Sequence, residues 1–315
     1  MEVALVLFRF SIRVCLLVGC TVFAMPLWGQ ETQFDEERYF DAFQTDFPEE
    51  ETPVQRFKKG FFQQLEFKGG LLVPNRDDID SKFLESRLSV AVPLGSLENI
   101  MVVSPAFRVD ELQSSLSFDV PDHLYVANTS FLWRKEWNER WGSILIFTPS
   151  VRTDFKSEDS GFRLFGLALA QWNWVPEILQ ISVGAVYLGR QDLPVVLPAV
   201  GLVWTPTPQW KYDLLFPRPK ISYQLWKEGC RAETWAYLSS DLGGNTWSVE
   251  RADGTDDVLS LKDYRLLLGV ERVIEGGGGL FIETGYAFRR KLHYEVGGER
   301  ASLSDAWVIQ AGLRF

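Results

Sequence analysis

The sequence predicts an all-β protein, a transmembrane antiparallel up-and-down β-barrel of about fourteen strands, with twelve as the alternative. A cleaved signal peptide and a short acidic segment precede it. Three observations predict this: an export signal at the start, alternating runs long enough to cross a bilayer, and a last strand ending on Phe315.

Residues 1–29 read as the signal peptide. Arg9 and Arg13 supply the positive region, Val14 to Met25 the apolar stretch, and Leu27-Trp28-Gly29 a cleavage site before Gln30. Lipidation at Cys20 stays open as an alternative. Leu17-Val18-Gly19-Cys20 has the order of a bacterial lipoprotein signal, but Thr21 to Trp28 stays apolar where such signals turn polar. Cleavage after Gly29 removes Cys15 and Cys20 and leaves Cys230 alone, so neither an internal disulfide nor a cysteine metal site is expected.

Residues 30–60 form an acidic lead-in. Tyr39, Phe43 and Phe47 recur every fourth residue and would share one face of a short helix, either free in the periplasm or docked in the barrel mouth. The formal charge of −10 argues against nucleic acid, whose phosphates call for clustered Lys and Arg.

From Phe61 the chain alternates with a period of two. Leu65, Phe67, Leu71 and Val73 oppose Gln64, Glu66 and Lys68. Leu84, Leu88, Val90 and Val92 oppose Glu85, Arg87 and Ser89. The same holds for Leu179 to Tyr187, Tyr264 to Glu271 and Leu280 to Arg289. Successive strand side chains point to opposite faces, so each run has one apolar and one polar face. The runs are about 10 to 13 residues long, near the 9 to 11 a tilted strand needs to span a bilayer. Trp133, Trp141, Trp172, Trp174, Trp204, Trp210 and Trp307 sit near run ends, where interfacial girdles belong. One run departs from the rule: Phe165, Leu167 and Leu169 alternate with Leu164, Ala168 and Ala170, so both faces are apolar.

Longer polar links at 74–82, 110–123, 154–161, 190–197, 251–259 and 291–303 alternate with short ones at 95–98, 136–140, 175–177, 206–209, 241–244 and 274–278. Barrels alternate long outer loops with short periplasmic turns in this way. With both termini periplasmic the strand number is even. Residues 210–227 are therefore read as one strand bent at Pro217-Arg218-Pro219, since proline cannot donate to a central ladder.

The C-terminal strand carries Trp307, Ile309, Ala311, Leu313 and Phe315 at every second position. This resembles the β-signal read by barrel-insertion machinery. Val195-Val196-Leu197-Pro198 through Trp204-Thr205-Pro206 to Pro217-Arg218-Pro219-Lys220, with Phe131 to Lys135, Thr148-Pro149-Ser150 and Trp247 to Arg251, resembles a bacterial family of outer-membrane barrel domains of unknown function. The resemblance covers about residues 60–315. It implies a barrel in the outer membrane and carries over no catalytic residue.

The polar faces place Glu66, Lys68, Glu85, Arg87, Arg163, Arg265, Glu271, Glu283 and Arg289 toward the lumen. They form either a charge-lined constriction that selects small solutes or a salt-bridge network that plugs the barrel. A passive channel or transporter for small solutes is the leading functional reading. A non-conducting structural or surface-interaction barrel is the alternative. A lipid hydrolase comes third, because His123 and His293 are the only histidines and hydrolases of this kind need a histidine beside a serine. Ser302 and Ser304 follow His293 in sequence and Asp122 adjoins His123. No enzyme activity, cofactor or metal is expected. Asp253-Gly254-Thr255-Asp256-Asp257 reads as a hairpin tip and Gly276 to Gly279 as a flexible turn. The expected partners are outer-membrane lipid and, during biogenesis, the export translocon and the insertion machinery; oligomeric state is left open.

Overall fold

Among the described residues sixteen strands lie in one sheet, and fourteen of them close into a ring. In chain order these are β1 (Phe62–Pro74), β2 (Ile79–Ser96), β3 (Asn99–Ser114), β4 (His123–Glu136), β5 (Trp141–Thr153), β6 (Phe162–Val175), β7 (Leu179–Tyr187) and β8 (Leu197–Thr207). There follow β9 (Trp210–Asp213), β10 (Lys220–Glu228), β11 (Ala232–Gly243), β12 (Thr246–Glu250), β13 (Asp256–Ile274), β14 (Gly279–Tyr294), β15 (Arg300–Ser302) and β16 (Ala306–Arg314). The computed structural model describes residues 54–315 except Lys59, Asp77, residues 189–195 and residues 216–217. The predicted signal peptide, Cys20 and the Tyr39, Phe43, Phe47 stripe lie outside the described residues.

Each ring strand pairs antiparallel with its neighbours, and β1 pairs with β16 to close the circle, Phe67 opposite Leu313 and Leu71 opposite Ile309. Closure pairs the first strand of the sheet with the last, which hydrocarbon favours because it supplies no hydrogen bonds to a free edge. β16 shows the alternation plainly: Trp307, Ile309, Ala311 and Leu313 are exposed on the outside, and Val308, Gln310 and Gly312 are buried inside.

The outer surface carries an apolar belt that includes Phe67, Leu84, Phe131, Phe147, Val183, Val200, Leu268 and Ile282. Its lower rim, at the short-turn end, is aromatic. Trp141, Trp172 and Trp174 stack together, and Trp210 packs on both Tyr212 and Tyr223, with Trp204 against Tyr212. At the upper rim Tyr264 stacks on Phe288 and Trp307 packs edge-on against Tyr286. From Trp307 to Phe315 the strand advances eight residues. At about 3.3 Å each and a tilt of about 40° this gives roughly 20 Å of depth, close to the band of a membrane barrel.

The ring count agrees with the expected fourteen, but two of its members differ from those expected. Residues 210–227 are not one bent strand. β9 and β10 are antiparallel partners, with Asp213 opposite Lys220 and Trp210 opposite Tyr223. The link between them closes a turn in which the Arg218 amide donates to the Leu215 carbonyl. Pro219 therefore stands at a strand boundary, directly before β10, and not within a continuous strand. Conversely, β12 stays out of the ring. Residues 241–244 are not a short turn but the end of β11 and the start of a long excursion, and the short link on that side is 229–231.

Inward-facing glycines seat aromatic rings. Gly70 lies opposite Phe83 across β1 and β2, and a β carbon there would fall 2.5 Å from that ring. Gly312 opposite Phe281, and Gly269 opposite Tyr237, repeat the arrangement. Each ring is laid against the wall in space that only glycine leaves.

Candidate functional site, the barrel lumen

The lumen has two unlike walls. The charged wall is built by β1, β2, β3, β10, β11, β13, β14 and β16. Arg314 Nε donates to Glu66 at 2.8 Å, and its Nη1 lies 3.4 Å from Glu271. Lys220 closes on the other Glu271 oxygen at 2.6 Å. Arg108 pairs with Asp110, and Arg87 with Glu85 at 2.7 Å. Tyr237 donates its hydroxyl to Glu283 at 2.8 Å, and the Gln310 amide donates to the other Glu283 oxygen.

The glycine-seated rings hold cations over their faces. Arg108 lies 4.0 Å from the centre of Phe83, Lys220 3.7 Å from Tyr237 and Arg314 4.8 Å from Phe281. Lys68 stands 5.8 Å from both Phe83 and Phe281. A negative π face attracts a cation without adding an anion, so the wall holds its positive charges on both carboxylates and rings.

The opposite wall, from β5 to β8, is apolar. Leu167, Leu169, Val186 and Ala199 are buried together, with Ile144, Ile146, Phe165, Leu188, Leu197 and Leu215 against them. This is where the sequence shows two apolar faces on one strand. Leu215, just after β9, lies over Gly201; a β carbon on that glycine would overlap Leu215. Towards the turn end the wall becomes polar again, as Gln171, Gln180 and Asn173 hydrogen-bond in series.

Two cavities open in the lumen, one of about 240 Å³ that touches the apolar wall at Phe165 and Leu188, and one of about 300 Å³ lined by the charged wall and Arg218. Both are bounded by Arg108, Arg218, Asp241 and Arg265. Arg218 bonds Asp241 at 2.8 Å and Arg265 bonds Asp263 at 2.6 Å, so this waist is charged but largely compensated.

A cap covers the loop end. β12 continues past β11 along the upper part of β13, with Trp247 opposite Leu259. It reaches across to β5, where Ser248 bridges to Thr153. β5 lies seven places from β13 around the ring in either direction, through β11 or through β14. Trp247 and Val249 bury themselves with Ile79, Leu112, Leu124, Val126, Leu259, Leu292 and Tyr294, several of them wholly inaccessible. Polar latches hold the cap's rim. Ser248 donates to Asp159 at 2.7 Å, and the Glu250 amide donates to Asp154 at 3.0 Å. Arg251 lies over the Tyr294 ring and bonds Asp119 and Glu299 at 2.8 and 2.9 Å. At the other end, Arg56 bonds Glu233 at 2.6 Å and the Gln55 carbonyl accepts from the Gly276 amide, so the chain leading into β1 lies along the turn-end rim.

Outside the spanning strands, Asp159, Asp78 and Glu299 are among the carboxylates held below their usual range. The Ser248 hydroxyl lowers Asp159, helped by the Gly161 amide. Burial works to raise Asp78, but the amides of Ile79 and Ser304, the Ser304 hydroxyl and Arg290 outweigh it. Hydrogen bonds from Arg251 lower Glu299.

Of the residues the sequence sends inward, Glu66, Lys68, Glu85, Arg87, Arg265, Glu271 and Glu283 line the larger cavity. Arg163 bounds neither cavity and donates to its neighbour's carbonyl, that of Phe162. Arg289 is exposed, with φ of 53°, and Arg290 is the buried arginine that bounds the smaller cavity. An irregularity in the β13–β14 register near Tyr264 and a left-handed residue at 289 shift the alternation by one, as a bulge does. Arg108, Lys220, Tyr237, Phe281, Gln310 and Arg314 were missed. For three of them the signal was a glycine on the neighbouring strand, at 269, 312 and 70, seating the rings that the cations then cover.

Residues 112–304 match the family described as Domain of unknown function (DUF6268). The chain belongs to this family. The match begins near the end of β3 and so takes in the cap, the β9–β10 hairpin and the apolar wall. Comparison with curated proteins gives no match. Among solved structures the chain is similar to the β domain of the Bordetella autotransporter BrkA, with 9% identity over 81% of this chain and 99% of that one, at a TM-score of 0.36. It is similar also to Pseudomonas aeruginosa OccK5 (OpdH), with 9% identity over 83% of this chain and 99% of that one at 0.26. A mutant Rh. blastica porin gives 8% over 81% and 99% at 0.24. At such values the likeness adds nothing to the architecture derived above.

Proposed function

We propose that this chain is a bacterial outer-membrane barrel that passes a small solute through a lumen that is capped at rest. The observation that carries the reading is the pair of cavities meeting at the Arg108, Arg218, Asp241 and Arg265 waist. Their combined space is on the scale of small-molecule sites, about 300–1,000 Å³, and a barrel packed solid for structural purposes would not need it. The apolar belt supports the membrane placement. The turn end, where β1 begins and β16 ends, faces the periplasm, and the cap faces outward. Trp307, Ile309, Ala311, Leu313 and Phe315 serve as the insertion signal.

The test is conductance in a planar lipid bilayer. Wild-type protein gives small, infrequent steps, and Arg251→Gln, which removes the cap's central latch, raises open probability at least tenfold. Silence from both, with the heat-modifiable gel shift of a closed barrel retained, overturns the reading. It would leave the second one, a non-conducting surface barrel, which the wholly buried side chains of the cap favour. The proposal also holds that the chain is not an enzyme. Esterase activity in the purified protein, abolished by His123→Ala or His293→Ala, would overturn that part.

A further inference from the structure

The smaller cavity has a charge balance opposite to that of the chain. Overall, 42 Asp and Glu outnumber 32 Lys and Arg. Around this cavity the described residues reverse the order, with seven Lys and Arg to three Asp. Arg290 is answered by Asp78 and by the Ile79 and Ser304 carbonyls, and the excess survives that pairing. All three aspartates already accept from arginine: Asp110 from Arg108, Asp241 from Arg218 and Asp263 from Arg265. A cation entering here meets carboxylates that are occupied. An anion meets a surplus of positive charge.

The waist gives that surplus a direction. Arg265 stands opposite Asp241 across β11 and β13, and Arg218 bonds the same Asp241, so two guanidiniums flank one carboxylate. Arg265 uses Nε and Nη2 on Asp263, and Arg108 uses the same two groups on Asp110. A guanidinium carries five N–H donors in a planar fork, so each keeps donors after its pair is made. The fork is also held in place. Gly243 lies opposite Asp263, and a β carbon there would overlap both Asp263 and Arg265. The Arg265–Asp263 pair therefore lies against backbone and needs no ligand to order it.

Apolar side chains complete the smaller cavity: Phe165 and Leu188 of the apolar wall, with Leu72, Leu242, Leu261 and Val308. An inorganic anion gains nothing from them, whereas an organic one buries its hydrocarbon there. At about 240 Å³ the space suffices for one aromatic ring, since a cavity of about 150 Å³ already accepts benzene.

We propose that the waist and the smaller cavity bind a small organic carboxylate, its head on Arg218 and Arg265 and its apolar body against Phe165 and Leu188. This rests on the solute-passing reading above and names the solute class. Arginine suits the role because its fork takes both oxygens of a carboxylate.

The test is equilibrium dialysis of the folded full chain in detergent against radiolabelled benzoate. Benzamide serves as the uncharged isostere and inorganic phosphate as the anion without a body. Dialysis run to equilibrium makes the rate of entry past the cap immaterial. Benzoate binds about tenfold more tightly than either, the scale of a charge-assisted hydrogen bond. Arg218 is largely exposed, so Arg218→Gln keeps the heat-modifiable band of a closed barrel; it weakens benzoate about tenfold and leaves benzamide unchanged. Arg265→Lys gives the same reading if Arg218→Gln fails to fold. Leu188→Ala weakens benzoate but not acetate, and an unchanged benzoate affinity there overturns the placement of the body. Equal binding of benzoate and benzamide, or no loss in either arginine variant, overturns the site. Phosphate bound as tightly as benzoate overturns the organic class. Bilayer conductance tests the parent reading separately. Conductance without benzoate binding leaves solute passage standing and removes this site. Benzoate binding that is lost in Arg218→Gln, with silent bilayers, leaves the site standing and removes passage.

Discussion

The two walls of the lumen are made by the same kind of strand and held together in different ways. On β1 to β3 and β10 to β16 the inward positions are ionic, and stability comes from pairs such as Lys220–Glu271 and Arg314–Glu66 with rings seated on glycine. On β5 to β8 they are aliphatic, and Leu167, Leu169 and Val186 pack as in a soluble core. The lesson is that a polar lumen is an average. A charged wall favours water beside it. The apolar wall sheds water, and it is the wall next to the short β9–β10 hairpin.

That contrast can be broken by substitution. The largest effect is expected from Gly312→Leu, which drives a side chain into Phe281 and towards the Phe67 carbonyl. Overpacking of this kind costs about 3 kcal/mol, read as a lower urea midpoint for loss of the heat-modifiable band. An unchanged midpoint would show that the rings are not seated as described. Leu167→Ala comes next, at about 2–3 kcal/mol, because a buried leucine leaves a cavity. Glu271→Leu leaves Lys220 and Arg314 without their shared carboxylate. It should cost about 2 kcal/mol, less than a fully buried pair since both cations are partly accessible. If Glu271→Leu instead stabilises the barrel while Leu167→Ala destabilises it, the charged wall exists for the solute and not for the fold.

The cap sharpens the comparison through pH. Asp159, Asp78 and Glu299 have depressed folded-state pKa values, so their contribution is present above the unfolded carboxylate range, near pH 4. It is lost as pH falls through the lower, folded values. Acidification below about pH 4 should therefore raise conductance, or protease cleavage near Arg251, before the barrel unfolds. Asp159→Asn should lessen this acid response. The smallest effect belongs to Arg134→Gln. It removes an exposed pair with Glu136 outside either wall's packing and should change stability, read from the urea midpoint, by no more than about 0.5 kcal/mol.

Much of this was legible in the residues. Period-two alternation in β1, β2, β13 and β14 told outside from inside, because each strand reads its own two environments locally. The doubly apolar run at Phe165 to Ala170 already marked the second wall. Illegible were features set by partners far apart in sequence. Parity alone makes a bend of Pro217-Arg218-Pro219, because nothing local says that β12 leaves the ring. Only the pairing of Asp213 with Lys220 decides it. Arg289 was assigned inward because a bulge shifts phase without changing the local pattern. Arg108 over Phe83 and Arg314 over Phe281 join strands whose contact depends on register.

The sequence by itself determined the barrel, its bilayer-length strands and the acidic and basic residues of its lumen, since alternation, length and charge are local properties. Tertiary structure alone decided that β12 leaves the ring and closes the mouth, and that residues 210–228 supply two strands of the wall and not one. Both depend on which edge each strand meets, and a chain can encode that only once the ring has formed.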